Sequence, residues 1–311
     1  MTENSRFVLG IDAGGTKTRA LLADRGGKVI AAASGPGANL RTHGELQVEK
    51  VLHGLVEKAE AEAGVKADAI AVGIAGADRP DDQEVLRAIL RRIGFRERVV
   101  VTNDARIAFV AGSPRRVGLA LVCGTGSIAW GRNARGEIAR AGGWGWHVGD
   151  EGSGFWIGER AIRAALRATD GRGPETALTA ALLEHFGLSR MEQLVRRVYD
   201  AEYPRHEVAL FAVRVAAAAR EGDSVAGSIL SDAAGELVLA AGSVVSRLGL
   251  GAAGYDVVLS GGTFGALPDL RRDVAAALAG PGAEVRTLEV EPAVGAVLLA
   301  LEALTSEPGS R

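Results

Sequence analysis

The sequence predicts an α/β protein made of two related lobes, each a mixed sheet with helices on its faces. Three observations carry that prediction. Two glycine-hydroxyl turns, Asp12-Ala-Gly-Gly-Thr16-Lys-Thr18 and Gly124-Thr-Gly-Ser127, each stand between apolar runs that read as hairpin strands. Their flanks repeat as well. Phe7-Val-Leu-Gly-Ile-Asp12 precedes the first turn and Val117-Gly-Leu-Ala-Leu-Val122 the second, and in both copies the next glycine lies twelve residues on, Gly15 to Gly27 and Gly124 to Gly136. Aligned at that offset, Val8/Val117, Thr16/Thr125, Ala20/Ala129 and Ala32/Ala141 are identical. Finally, Ile74-Ala-Gly76-Ala and Leu259-Ser-Gly-Gly262 fall at corresponding strand ends, so the repeat extends past the turns.

The elements follow in order. Apolar alternation broken by Gly turns predicts strands at about residues 6–12, 17–23 and 28–34. A polar helix is expected from about Gly44 to Ala63, then a strand at Ala69 to Ile74 and a helix at Asp81 to Ile93. The β-branched run Val99-Val-Val-Thr102 reads as a strand from about Arg98, and a helix opens near Asp104. After the second three-strand unit the pattern turns helical from about Gly154 to Leu248, a large insertion interrupted by Gly171-Arg-Gly-Pro174. Alternation resumes with a strand at Asp256 to Leu259, a helix from about Gly265 to Leu278, a strand at Glu284 to Leu288 and a helix from about Ala293 to Leu304. The expected division is an N-terminal lobe over residues 1–115 and a C-terminal lobe over 116–311. The helical insertion, about 154–248, belongs to the second lobe, and the last helix is a candidate to pack back on the first.

Bulk properties narrow the function classes. At 311 residues, two domains of ordinary size are expected, and 47% apolar content marks a folded globular chain. A formal charge of −2 exerts no global pull on nucleic acid, and Arg87, Arg91, Arg92, Arg96 and Arg98 read as a solvated helix face and its exit. The one cysteine, Cys123, allows no internal disulfide and no cysteine-built cluster within one chain. No apolar run reads as long enough to span a bilayer, and Met1-Thr-Glu-Asn-Ser-Arg6 lacks a hydrophobic stretch. The expectation is a cytoplasmic protein that engages neither membrane nor nucleic acid.

Chemistry concentrates at the turns. Glycines let backbone N–H groups approach an anion closely and Thr or Ser hydroxyls add donors, so each turn is a candidate phosphate nest. Asp12 ends the first strand, where a carboxylate either holds a cation or caps its own turn. Asp104 stands where a helix begins, as a cap or as a base. Asp150 lies in the polar, Gly-flanked loop His147-Val-Gly-Asp-Glu-Gly-Ser153, with Glu151 as a competing ligand or helix cap. Trp144 and Trp146 are ring-stacking or packing residues, and His147 receives no catalytic role. Neither a Gly-x4-Gly-Lys-Ser/Thr loop nor a His-Glu-x-x-His motif is present.

Two duplicated lobes with nucleotide turns on hairpins resemble the actin, hexokinase and Hsp70 superfamily, which closes over ATP. Within it the chain is most similar to the N-acetylglucosamine kinase group of the BadF/BadG/BcrA/BcrD ATPase family. The carriers are Asp12-Ala-Gly-Gly-Thr-Lys-Thr18, Gly37-Ala-Asn39, Thr102-Asn-Asp-Ala105, Gly124-Thr-Gly-Ser127, Gly142-Gly-Trp-Gly145 with Gly149-Asp-Glu-Gly-Ser153, and Ser260-Gly-Gly262. The resemblance implies duplicated ribonuclease H-like lobes, an actin-like ATPase fold with the nucleotide in a cleft, and ATP-dependent phosphorylation of an amino sugar. N-acetyl-D-glucosamine giving its 6-phosphate is the leading reaction; glucosamine and N-acetylmuramic acid are the nearby substrates.

Phosphoryl transfer needs a cradle, a divalent cation and a base. By resemblance, Asp104 is the general base and Asp12 holds Mg²⁺, through water. Gly14, Gly15, Thr16 and Lys17 face the phosphates; Gly124, Thr125, Gly126 and Ser127, with Gly261 and Gly262, hold the rest of the nucleotide. Asn39, Gly76, Asp104, Gly145 and Asp150 contact the sugar. A homodimer and lobe closure are expected on the same basis. An ATP-driven dehydratase activator is the alternative of another class, and it needs a cysteine-held cluster that one cysteine serves poorly. A sugar-responsive repressor needs a DNA-binding domain ahead of the first strand, where only about six residues stand.

Overall fold

The computed structural model describes residues 6–77, 79–199, 205–251 and 253–305. Residues divide into two compact units, 1–120 with 287–311, and 121–286. The division falls inside a strand, where the sequence suggested 115/116.

Unit 1 is built on a five-stranded sheet. Strands β1 (Phe7–Ala13), β2 (Lys17–Asp24) and β3 (Val29–Pro36) form antiparallel neighbours, and β4 (Ala69–Ile74) and β5 (Val99–Thr102) add in parallel, giving the order β3-β2-β1-β4-β5. All six residues of β4 are buried, as expected of a strand covered on both faces. Helix α1 (Leu40–Ala63) begins four residues earlier than the sequence suggested and is kinked at Gly44, whose φ of 74° and ψ of 164° leave the helical region. Gly44 thus joins two helical pieces instead of starting one. Helices α2 (Pro80–Arg92) and α3 (Asp104–Gly112) follow β4 and β5.

The last helix of the chain, α11 (Ala293–Thr305), packs on β1, β4 and α3 within unit 1. Two glycines make that approach possible. A Cβ on Gly10 would lie 2.3 Å from the Val297 backbone nitrogen, and one on Gly295 would lie 1.9 Å from the Ile107 carbonyl oxygen. Either alanine would force the helix off the sheet.

Unit 2 holds the second sheet, order β10-β9-β6-β7-β8, from β6 (Gly118–Cys123), β7 (Ser127–Arg132), β8 (Ile138–Gly142), β9 (Tyr255–Ser260) and β10 (Ala283–Thr287). Read from β8, it reproduces the order of the first sheet strand for strand. This shared order is the duplication seen in three dimensions. Between β8 and β9 lie α4 (Gly154–Thr169), α5 (Leu178–His185), α6 (Gln193–Val198), α7 (Arg205–Arg220) and α8 (Ser224–Leu248). Between β9 and β10 the expected single helix is two, α9 (Gly262–Ala266) and α10 (Pro268–Leu278), because Pro268 cannot continue a helix begun before it.

Helix α8 corrects the expectation about apolar runs. It spans 25 residues, reaches a mean hydropathy of 1.4 over an 18-residue window, and is long and apolar enough by length and composition to cross a membrane. Its buried residues, Ala226, Ile229, Ala233, Leu237, Ala241, Val244 and Leu248, recur at helical spacing on one face, which packs on α4, α7, α10, β7 and β8. Asp232, Glu236 and Arg247 interrupt the other residues of the helix.

Candidate active site

In unit 1, the antiparallel β1–β2 hairpin presents the first turn. Gly14 donates its N–H to the Lys17 carbonyl (3.0 Å), and Gly15, Thr16 and Lys17 form an exposed tip. A Cβ on Gly15 would meet no atom within 4 Å, so chain packing does not require that glycine. Thr18, next in sequence, is fully buried and donates its hydroxyl to the Pro36 carbonyl (2.7 Å), fixing β2 to β3. From the other side Gly37 presses on the turn: a Cβ there would lie 2.1 Å from the Gly15 carbonyl oxygen.

Asp12 stands near the end of β1, opposite Arg19 on β2 and Gly73 on β4. Burial, then the charges of Asp104 and Glu291, push its carboxyl up to about 7. A buried carboxylate facing like charges is an environment that a divalent cation relieves. Among the described residues no group of three or more His, Cys, Asp or Glu is arranged to hold a metal ion. A single carboxylate in this setting, completed by water, is a donor that Mg²⁺ accepts.

Asp104 is the first residue of α3, and the capping role falls to its neighbour. The Asn103 side chain accepts the Arg106 N–H at 2.7 Å and is the helix N-cap. The cap that the sequence offered at Asp104 lies one residue earlier, at Asn103. Asp104 itself accepts the N–H of Ala105 at 3.0 Å.

Asn39 and Gly76 meet in the same unit. The Asn39 side-chain amide donates to the Ala75 carbonyl (2.9 Å), and its nitrogen would lie 3.7 Å from a Cβ on Gly76, whose φ of 85° suits glycine. His43, one turn into α1, accepts the Asn39 backbone N–H on Nδ1 at 3.2 Å. Sequence reasoning missed Glu291, which lies just ahead of α11, bonds Arg19 Nε at 2.8 Å and bears on Asp12. Arg19 also donates to the Ser34 hydroxyl at 3.0 Å. Only the Pro292 that follows Glu291 marked this position as a helix start.

In unit 2 the second turn is gathered with three other segments. Gly124 donates to the Gly126 carbonyl (2.8 Å), while its own carbonyl accepts the Gly154 N–H (2.9 Å) and the Thr263 hydroxyl (2.8 Å). Phe155 N–H reaches the Thr125 carbonyl at 3.3 Å, so the start of α4 is tied to the turn. Gly261, at φ 113°, lies against the backbone of Cys123, which brings the Gly261-Gly262 segment to the same place. The Ser127 hydroxyl is engaged by the Glu151 carbonyl at 2.7 Å, which makes its side chain a brace for the loop. Cys123 is fully buried, donates to the Gly152 carbonyl at 3.5 Å, and burial holds its thiol well above the usual range. Cys123 thus packs as a small buried residue behind the turn.

Asp150 has φ 58°, a left-handed conformation tolerated by Asp and rare for other side chains. Its carboxyl is pushed up to about 6, first by burial, against the pull of the Gly145 and Ser127 N–H groups it accepts. The Glu151 charge raises it further, and Arg205 opposes. Trp146 is packed edge-on against Phe155, with the Arg205 guanidinium over its ring, whereas Trp144 is 58% exposed beneath Arg140. Trp146 is thus a packing residue of the Asp150 loop.

The model of the BadF/BadG/BcrA/BcrD ATPase family matches residues 9–300. An N-acetylmuramic acid/N-acetylglucosamine kinase of Clostridium acetobutylicum is 37% identical over 79% of this chain and 81% of its own length. An N-acetyl-D-glucosamine kinase of Dictyostelium discoideum is 32% identical over 96% of this chain and 98% of its own. Among solved structures, a candidate N-acetylglucosamine kinase from Chromobacterium violaceum superposes with a TM-score of 0.76 at 26% identity, covering 95% of this chain and 99% of that one.

Proposed function

The chain belongs to the BadF/BadG/BcrA/BcrD ATPase family, and from that premise we propose that it is a sugar kinase transferring the γ-phosphoryl group of ATP to the 6-hydroxyl of N-acetyl-D-glucosamine. The observation that carries the reading is the grouping in unit 1. Asp12 and Asp104 act on each other electrostatically, Asp104 is relieved of helix capping by Asn103, and Asn39 adjoins Gly76. The relatives named above, both kinases of N-acetylated amino sugars, support the substrate class.

In this mechanism Asp104 accepts the proton of the sugar hydroxyl as its oxygen attacks the γ-phosphorus. Asp12 holds Mg²⁺ through water; when bound, the cation spreads the charge of the transferring group. The exposed tip, Gly15 to Lys17, with Gly14 at its base, supplies N–H donors and one ammonium to the phosphates. Gly124, Thr125, Gly126, Gly261 and Gly262 offer backbone to the nucleotide, and Ser127 serves as the brace behind them. Asn39, Gly76, Gly145 and Asp150 orient the sugar, with the Asp150 carboxylate accepting ring hydroxyls. Orientation of this kind is worth more to rate than any one contact. A homodimer in the cytoplasm completes the proposal.

The deciding experiment measures ADP release against N-acetylglucosamine, glucosamine, N-acetylmuramic acid and glucose. Sugar-dependent turnover, greatest with N-acetylglucosamine and lost in a folded Asp104→Asn variant, is expected. Folded protein with no sugar-dependent ADP release would sink the reading.

A further inference from the structure

The carboxylate proposed to carry the cation has a guanidinium directly across the sheet from it. Asp12 on β1 is paired with Arg19 on β2, and Arg19 in turn with Ser34 on β3, so the three form one cross-strand row. Directly opposed residues share a face of the sheet, and opposite charges so placed attract. Here that attraction is not taken up. Among the described residues Arg19 donates from Nε to Glu291 Oε2 at 2.8 Å and from Nη1 to the Ser34 hydroxyl at 3.0 Å, and neither bond runs to Asp12. The charges that bear on Asp12 are the like ones of Asp104 and Glu291.

Glu291 is fixed in place by the fold. Its carbonyl accepts the Val294 N–H at 2.9 Å, which ties it to the start of α11, and α11 is seated on β1 at Gly10. Gly10 lies two residues before Asp12 and so on the same face of the strand. The seated helix thus brings Glu291 to the Asp12–Arg19 row. The Arg19–Glu291 pair is partly exposed, at 29% and 50% of the two side chains, and a pair of that kind contributes little to stability. Its consequence lies in where it leaves the guanidinium. An arginine fork on Asp12 would occupy the carboxylate oxygens and neutralise the charge that a cation needs.

On the reading of Asp12 as the Mg²⁺ carboxylate, on which this inference rests, we propose that Glu291 is a positioning residue of the cation site: with Ser34 it holds Arg19 away from Asp12, so that the carboxylate stays open to Mg²⁺ instead of closing in a cross-strand ion pair. Glu291 acts through where it keeps Arg19.

The test is thermal unfolding of the full-length, nucleotide-free chain titrated with MgCl₂ at pH 8, which reads half-saturation by Mg²⁺ without turnover. Glu291→Gln releases the guanidinium; with Arg19 on Asp12 in about nine molecules of ten, the open carboxylate falls to about one in ten and half-saturation rises about tenfold. Arg19→Met alone should stay within about twofold of the unmodified chain, because the guanidinium it removes is already turned away and paired. Glu291→Gln/Arg19→Met should return to the same range. Both positions are partly exposed, so the fold should survive each exchange. The rescue separates positioning from its alternatives. A merely structural Glu291 predicts that the second substitution adds to the damage, and charge counting predicts that Arg19→Met tightens Mg²⁺ by as much as Glu291→Gln weakens it. Unchanged half-saturation in Glu291→Gln, no rescue in the double variant, or such a tightening in Arg19→Met overturns the proposal alone when the Mg²⁺ response is lost in Asp12→Asn. A response that Asp12→Asn leaves intact, or none in the unmodified chain, overturns the reading of Asp12 and the proposal together.

Discussion

Gly126 lies directly against Asp150: a Cβ on residue 126 would stand 2.7 Å from Asp150 Oδ2 and 3.1 Å from its Cγ. The carboxylate cannot simply swing aside, since it also accepts the Gly145 and Ser127 N–H groups. Gly126→Ala should therefore displace the one carboxylate proposed to hold the sugar ring while leaving the turn's backbone intact. Expected is a rise of about tenfold or more in the sugar KM with a stability loss of about 1 kcal/mol, the ordinary cost of a local steric change. Steady-state kinetics and denaturant unfolding check it, and an unchanged KM would remove Asp150 from the sugar site.

The raised pKa of Asp150 gives a pH signature. Its carboxyl titrates at about 6 in the folded chain against 3.8 as a free group. Below about pH 6 it is protonated and accepts sugar hydroxyls less well, so kcat/KM for the sugar should fall on acidification with an inflection near that value. For stability the sign is opposite. A carboxyl whose folded pKa is raised stabilises the fold fully below 3.8 and loses that contribution as pH rises through about 6. Asp150→Asn should flatten both profiles in that window.

Asp12 carries the same sign further. With its carboxyl raised to about 7 by burial, Asp104 and Glu291, cation-free protein should lose stability from pH 4 upward until Asp12 is ionised, just above 7. Mg²⁺ binding to the ionised form should offset that loss, so thermal stabilisation by Mg²⁺ should be larger at pH 8 than at pH 6. In Asp12→Asn the metal-induced shift should vanish and activity fall about 10³-fold or more, given how much of phosphoryl transfer rests on charge stabilisation. A variant that keeps its Mg²⁺ shift would place the cation elsewhere.

The strands were legible because each is a short apolar run set off by turn or polar residues, a signal that is local, whereas their order within each sheet depends on pairings distant in sequence. Asp12, Asp104 and Asp150 were singled out by motif, and their roles stand as proposals. What was not legible depends on contacts distant in sequence. Glu291 joins Arg19 across 272 positions, and no spacing rule links them. The split of α9 from α10 was in the sequence as Pro268, but the apolar flanks on either side read as one helix. Helix α8 was misjudged because its small residues, alanine and glycine, pack like core residues without looking like an apolar run. The cap offered at Asp104 lies at Asn103 instead for a narrower reason: Asn and Asp are equal N-cap formers, and only the Asn103 Oδ1 bond to Arg106 N–H decides between them.

That bond separates stability from chemistry in two adjacent residues. Asn103 satisfies a first-turn N–H of α3 and is 4% exposed, so Asn103→Ala should cost about 1 kcal/mol of unfolding free energy, the usual loss of an N-cap. Its effect on kcat should be modest, through slight movement of the helix start. Asp104→Asn keeps a side-chain oxygen for the Ala105 N–H and leaves the Asn103 cap in place, so unfolding should shift little. It removes the proton acceptor, however, and kcat should fall about 10²-fold or more, the range general-base catalysis supplies. The paired measurement is decisive because a merely structural role predicts the reverse order. If Asp104→Asn lost stability in proportion to activity, or Asn103→Ala lost activity without stability, the division of labour read from α3 would be wrong.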